Sequence, residues 1–441
     1  MSPSCFDLGR IAVLALAGAP LVASAQTYGP VADKPAAASS TEGDVVPSGI
    51  SPELADAASR AIDANPAMRA ARIGIRAAHT DIRAAKWLYG PSVSVTGYAF
   101  EGGSSVVRGD NITANLTVDQ PIYQGGRAEA SIARAKASER QSEAVTDETA
   151  QDLALRVTNT YFALVGANAR IQALEAGLAE HRSLVGSIER RVEQEVSPRV
   201  DLDLARSRTN QLIEQQTTAK AQASASLQQL RVLLGDPSYA PAANPHYNPA
   251  IHHPDQANAV ETATRCSPTR RRLQAEALVA RADQKLARAD YLPRVSAQFN
   301  TNEVTGNRVG IAVTAGTSGG LSQFEAEKSA RLRRQAAEVR VGAADIELQT
   351  DLAGDFAENS NARERVASSH IAADSARAVT DSYQRQFVVG RRSWIDVMNA
   401  ALEVTQADVA VKDAEVSAMA SAARIQLRTC RWQPDPPVSR P

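Results

Sequence analysis

Asn111-Ile-Thr-Ala-Asn-Leu-Thr-Val-Asp119 is the stretch that decides the fold. Ile112, Ala114, Leu116 and Val118 are apolar; Asn111, Thr113, Asn115, Thr117 and Asp119 are polar. Alternation with period two over this length is a strand with one dry and one wet face. The pattern returns in Arg294–Asn302, where Val295, Ala297 and Phe299 oppose Arg294, Ser296, Gln298 and Asn300. It returns again where Val309, Ile311, Val313 and Ala315 alternate with Arg308, Gly310, Ala312 and Thr314, and more weakly in Ser92–Phe100. Four strands are therefore predicted, over 92–101, 110–119, 294–303 and 307–316, as two hairpins with loops at Glu101–Asp110 and Glu303–Gly306.

Around the strands the period changes. From Val157, Leu164, Ile171, Leu178, Val185 and Val192 recur in heptads, with Ala167, Leu174, His181 and Ile188 as the second seam position. That is a long helix packed along a coiled-coil seam. His181 in such a seam reads as a packed polar core residue rather than a metal ligand, since nothing near it supplies a metal shell. The second half has a thinner seam that leans on alanine around Phe356–Ala373.

The halves are duplicates. Asn65-Pro66 precedes Pro91, and Ser267-Pro268 precedes Pro293, at a common offset of 202 (268 − 66). Asp81 matches Asp283, Tyr89 matches Tyr291 and Val93 matches Val295. The organisation expected is a first repeat at 51–238, a Pro-rich linker at 239–257, a second repeat at 258–430 and a tail at 431–441. Each repeat reads helix, two strands, long helix, a tip near 197 or 390, and a returning helix. The linker carries His246, His252 and His253, read as a solvated loop rather than a metal site.

Gly126–Ser197 and Gly320–Gly390, as helices, span about 105 Å each; a returning plus an entering helix nearly equals one of them. The economical object is a rod with four strands at one end and two tips at the other. Stacked helices also bring Cys266 and Cys430 to one depth, as a disulfide or as two separate thiols. Strands of nine or ten residues suit a bilayer, but an open sheet edge cannot sit in lipid. Four strands cannot close alone, so several copies must share a barrel. Trp87, Tyr89, Tyr123 and Tyr291 fall where strands meet helices, the place of an aromatic belt at a membrane interface.

The chain has 441 residues, 44% hydrophobic, with a formal net charge of −1. Balanced charge excludes a nucleic-acid binder, and no apolar run is long enough for a transmembrane helix. Arg10, the apolar run Ile11–Val22 and Ala23-Ser24-Ala25 read as a secretory signal over 1–25, followed by a flexible arm over 26–50. No nucleophile elbow, phosphate loop or zinc motif is present, so neither enzymatic activity nor a cofactor is expected.

Several short motifs, twice over and in order, resemble the TolC family of outer-membrane efflux and secretion channels. They are Leu54…Ala57…Ala61…Asn65-Pro66, Pro91-Ser-Val93, Gln120-Pro121-Ile-Tyr123-Gln-Gly125-Gly126, Asp201-Leu-Asp-Leu-Ala205, Leu227…Leu230…Leu234-Gly235 and Val388-Val-Gly390…Ile395-Asp396-Val397…Ala400. The resemblance covers about residues 52–430. It implies a homotrimer: a twelve-stranded outer-membrane barrel continuing into a periplasmic α-barrel, working with a periplasmic adaptor and an inner-membrane pump. It also implies gate residues. Arg392 falls at the basic latch, Asp201 at its acidic partner and Phe387 at an aromatic of the closed state. Asp396 falls at the first acidic constriction position, and Asn399 replaces the second acid. Glu195 stands where glycine is common before the first tip, and Gly316–Gly320 stands where a proline and an aromatic are usual. The Gln-Pro-aromatic-Gly-Gly form is similar to members serving type I secretion of RTX toxin-like proteins beside an ABC transporter. The alternatives are a tripartite multidrug efflux duct and, from another class, a soluble periplasmic coiled-coil adaptor or scaffold.

Overall fold

The computed structural model describes residues 47–99, 112–241, 244–302, 306–316 and 320–434. The signal, nearly all of the arm, the 101–110 loop, residues 317–319 and most of the tail lie outside the described residues. The elements in chain order are α1 (Pro52–Ala64), α2 (Pro66–Lys86), β1 (Ser92–Ala99), β2 (Ile112–Tyr123), α3 (Arg127–Glu193) and α4 (Arg199–Leu234). Then follow α5 (Ala259–Cys266), α6 (Pro268–Ala289), β3 (Arg294–Asn302), β4 (Gly306–Thr314), α7 (Ser322–Val388) and α8 (Trp394–Arg428). Among the described residues no helix is long and apolar enough to cross a membrane.

The X-Pro steps are helix punctuation. Asn65 closes α1 and starts α2, its side chain accepting from the Ala67 amide at 2.8 Å with Pro66 in the first turn. Ser267 does the same between α5 and α6, accepting from the Arg270 amide at 3.2 Å. A capping side chain followed by proline costs no backbone donor and resets the helix axis.

The duplication has two offsets. The entering helices and the first strands are 202 apart (268 − 66 and 294 − 92), whereas the long helices and returning helices are 195 apart (322 − 127 and 394 − 199). The difference falls between the two strands of each hairpin. Both long helices have 67 residues, about 100 Å.

α3 packs against α2, α4, α6 and α8, and α7 against α6 and α8. Near the sheet Glu139 pairs with His79 of α2 at 2.9 Å, and Arg134 with Asp283 of α6 at 2.7 Å. Toward the tips Arg170 pairs with Asp413 of α8 at 2.6 Å, and Glu189 with Arg206 of α4 at 2.7 Å. The largest apolar core lies where α1 meets the middle of α3: Leu54, Ile62, Val157, Tyr161, Leu164, Leu230, Leu234, Met419 and Leu427.

Three expectations need correction. β2 does not stop at 119; it continues through Gln120-Pro121-Ile122-Tyr123, with a register irregularity at Pro121 that absorbs the missing amide. The linker is not solvated throughout: His246 and His253 are exposed, as expected, and His252 is not. His252 is only 5% exposed, its Nδ1 lies 2.9 Å from the Asn248 carbonyl oxygen, and the Tyr247 ring stacks on it. Its own carbonyl accepts from buried Asn359 of α7, so the linker covers polar atoms of the second repeat. The seam of α7 is also more than alanine: Leu352, Asp355, Asn359, Ala362, Val366 and Ala373 are buried along it. Asp355 accepts from Nε of Arg424 at 2.7 Å and of Arg428 at 2.8 Å, and Asn359 donates to the Ala418 carbonyl at 3.0 Å.

Cys266 and Cys430 are disulfide-bonded, with Cα atoms 6.4 Å apart, so the end of α5, just before α6, is tied to the end of α8. Cys430 has φ +54, at the position where the first repeat has Gly235 with φ +65.

Candidate functional site: the sheet and the helix tips

The sheet has order β1-β2-β3-β4, antiparallel throughout, with β1 and β4 as unpaired edges. Its register aligns rows of like polarity. Val93, Val118, Phe299 and Val309 lie across one row. Ser94, Thr117, Asn300 and Arg308 lie across the next, on the opposite face. The wet face is knitted by side chains: Thr117 donates to Asn300 Oδ1 at 2.7 Å, and Asp119 accepts from Ser296 at 2.8 Å and Gln298 at 2.7 Å. Among the described residues the dry face of the edge strands has no cover. Val93, Val95, Val309, Ile311 and Val313 are exposed, from 65% to 83%. A soluble sheet buries such a face against another element. The reading as a water-soluble adaptor or scaffold therefore fails on this face.

The Gln120–Gly126 motif is the junction between strand and helix. Gln120 Nε2 donates to the Tyr89 carbonyl at 2.9 Å, and Gln124 Nε2 to the Leu88 carbonyl at 3.0 Å. Both amides thus hold the 3-10 turn Trp87–Tyr89 that ends α2. Gly125 and Gly126 have φ +61 and +82, and a Cβ on Gly125 would meet Leu292 Cβ at 2.6 Å. Only glycine lets the chain turn here against α6. The second junction keeps a left-handed glycine at Gly320, 195 residues on. Trp87, Tyr89 and Tyr123 are exposed at this level, Trp87 by 77%. Tyr291 is different: it is half-buried, its ring 5.2 Å from that of Phe324.

The two tips reverse by one geometry. At the first, the Val196 amide bonds the Arg191 carbonyl at 2.8 Å and the Glu195 amide bonds that of Val192 at 3.0 Å. At the second, Arg391 bonds Gln386 at 2.9 Å and Gly390 bonds Phe387 at 3.0 Å. These are equivalent pairs at offset 195, and both close on a left-handed residue. Gly390 has φ +73; Glu195 has φ +59 and carries the cost of a Cβ there.

Within one protomer the proposed latch partners are not together. Arg392 lies 3.5 Å from Asp396 and its guanidinium stacks 4.2 Å over the Tyr383 ring. Asp201 is on α4, which scarcely touches α8. Phe387 is covered by Arg191 of the first hairpin, at 5.1 Å, and Gln384 donates to Glu180 at 2.6 Å. These two contacts bring the tips to one level. No local pattern announces them, because they depend on which helices lie side by side. Ser393 caps α8, accepting from the Asp396 amide at 3.2 Å. In return the Ser393 hydroxyl, its backbone and the Arg392 guanidinium hold the Asp396 carboxyl below the usual carboxylate range. Asn399 is exposed one turn further on. Among the described residues no group of three His, Cys, Asp or Glu is placed to hold a metal ion.

The model of the family described as outer membrane efflux protein matches residues 57–236. No curated protein matches the chain. Among solved structures, the outer-membrane channel OprN is similar with a TM-score of 0.77 at 18% identity, covering 87% of this chain and 91% of that one. The outer membrane protein VceC of Vibrio cholerae is similar at 0.75 and 14%, covering 86% and 96%. The open state of the Neisseria gonorrhoeae MtrE channel is similar at 0.68 and 15%, covering 86% and 89%.

Proposed function

We propose, on the premise that the chain belongs to the outer membrane efflux protein family, that it is the exit duct of a type I protein secretion system. The observation that carries the duct reading is the uncovered, two-edged sheet at the end of helices about 100 Å long. Three copies close twelve strands into one barrel, with β4 of each meeting β1 of the next. The dry face then meets lipid, and the wet face lines a passage continued by the helices into the periplasm. An adaptor and an inner-membrane ABC transporter would deliver the cargo. The polypeptide reading of that cargo is favoured by the wet face, where hydroxyls and amides outnumber charges, and by the Gln120–Gly126 junction. Such a surface exchanges hydrogen bonds with an extended chain without holding it.

At the tips, Arg392 and Asp201 meet between neighbouring protomers as an exposed latch, weak enough for an adaptor to open. Asp396, repeated three times, forms a carboxylate ring, and Asn399 leaves that ring without a second acid. Arg392→Ser should raise single-channel conductance in planar bilayers, and Asp396→Ala should remove most block by polyvalent cations; unchanged conductance and block reject the gate. Deleting the gene should leave a large protein inside the cell without altering drug susceptibility. Raised susceptibility with normal protein export would assign the duct to multidrug efflux instead.

A further inference from the structure

α3 and α8 belong to different hairpins and run antiparallel in a steady register. Gly166 lies against Val416, Arg170 against Asp413, and Gly177 against Thr405. At Gly177 the approach is so close that a Cβ would stand 2.3 Å from Thr405 Oγ1. One turn nearer the tip, in the same register, is His181 against Ala401. Its side chain is fully buried, and neither ring nitrogen has a hydrogen-bond partner. The Ala401 backbone carbonyl lies beside the ring and is the one neighbouring group that favours its charged form. The equivalent residue of the second repeat, 195 further on, is the buried alanine Ala376. The helical frame thus does not need an imidazole at this point.

We propose that His181 is a proton-sensitive wedge between the two hairpins, whose protonation in mildly acidic surroundings separates α3 from α8 just above the tips. The charged residues of the surrounding helices offer no counter-charge. Glu180 and Arg182 on α3 are exposed, and Glu180 is engaged by Gln384. On α4, Arg206 pairs with Glu189 and Arg208 with Gln211. On α7, Arg377 pairs with Asp374 and Asp408, while Asp381 and Arg385 are exposed; on α8, Glu403 is exposed. A buried imidazolium without a counter-charge is costly, and the desolvation outweighs what the Ala401 carbonyl returns. Burial accordingly lowers the pKa of the ring in the packed state. The separated state therefore binds more protons below the value of a free imidazole, about 6.5. The contact keeps its full strength above that pH. It weakens as the pH falls toward the lowered value, and weakens no further below it.

That this separation widens a passage between the tips rests on the duct reading; the packing inference does not. Hydrogen exchange of the intact assembly, corrected for its intrinsic pH dependence, tests the packing between about pH 7.5 and about pH 5. Segments 174–201 and 394–409 should open about tenfold more for each unit by which the ring lies below a free imidazole. His181→Leu should abolish that acceleration, and α2 and α6 should be unaffected in both proteins. Should the leucine variant fail to assemble, His181→Gln, neutral and polar, should abolish it equally. Equal acceleration in wild type and variant, or a midpoint in the carboxylate range, overturns the proposal. Accelerated exchange in a protein that conducts at no pH would sustain the wedge and sink the duct.

Discussion

At equivalent heptad positions α3 carries Val157, Leu164, Ile171 and Leu178, where α7 carries Leu352, Asn359, Val366 and Ala373. The two helices have the same length and the same reversal, and their returning helices α4 and α8 have 36 and 35 residues. The first repeat is held by apolar burial, at about 1.5–3 kcal/mol for each large side chain. The second replaces part of that with Asn359, with Asp355 bound by two arginines, and with a disulfide. Period, not composition, fixes the frame, and two different interiors fill it.

The widest gap between the repeats should appear at Asp355. Asp355→Ala leaves the half-buried Arg424 and Arg428 with only their more exposed partners Glu358 and Asp351, and should cost about 1.5–3 kcal/mol in denaturant unfolding. Thr160→Ala, at the equivalent place in α3, removes a hydroxyl bonded only to its own helix and should cost about 1 kcal/mol. Equal costs would break the comparison.

Next comes the bridge. The double change Cys266→Ser with Cys430→Ser should cost about 2–4 kcal/mol, and a reductant should do the same to the wild type but nothing to the variant. The first repeat offers the mirror test. A Cβ on Gly235 would lie 3.4 Å from Ala64 Cβ, near the separation of bridged cysteines. Cysteines placed there by A64C with G235C should bond spontaneously, read by mass spectrometry of non-reduced peptides.

At the barrel the repeats should behave alike. Leu116 and Ile311 are equivalent on the dry face; replacing either by arginine should cost about 2–4 kcal/mol if it lies near the bilayer midplane. Asn115→Arg on the wet face should be tolerated, and equal tolerance at 115 and 116 would reverse the facing. The smallest effect belongs to the tips. Glu195→Gly should stabilise by about 1 kcal/mol, making the first reversal like that at Gly390.

Much of this was legible in the sequence because periodicity carries it. The strand faces, the matched long helices and the equal tip levels follow from positions two, seven and 202 residues apart and from helix lengths. The offset of 195 between the long helices shows only in the structure, and the sequence marks Glu195 only by resemblance. What could not be read were lateral contacts. Arg191 over Phe387 and Arg392 over Tyr383 depend on packing between elements far apart in sequence. The linker misled for a related reason: prolines rule out helix, but they do not say whether His252 lies against solvent or against Asn359. Arg392 beside Asp396 rather than Asp201 is local cap chemistry, visible in Ser393-x-x-Asp396 once the helix start is known.

The two naked edges of the sheet have a kinetic consequence. A lone copy presents β1 and β4 to whatever strand it meets. If three copies close the barrel, as proposed, the yield of finished assemblies depends steeply on the local supply of copies, because an open sheet edge has no resting state in a bilayer. Halving expression should therefore reduce assembled trimer by more than half, with the remainder lost to proteolysis.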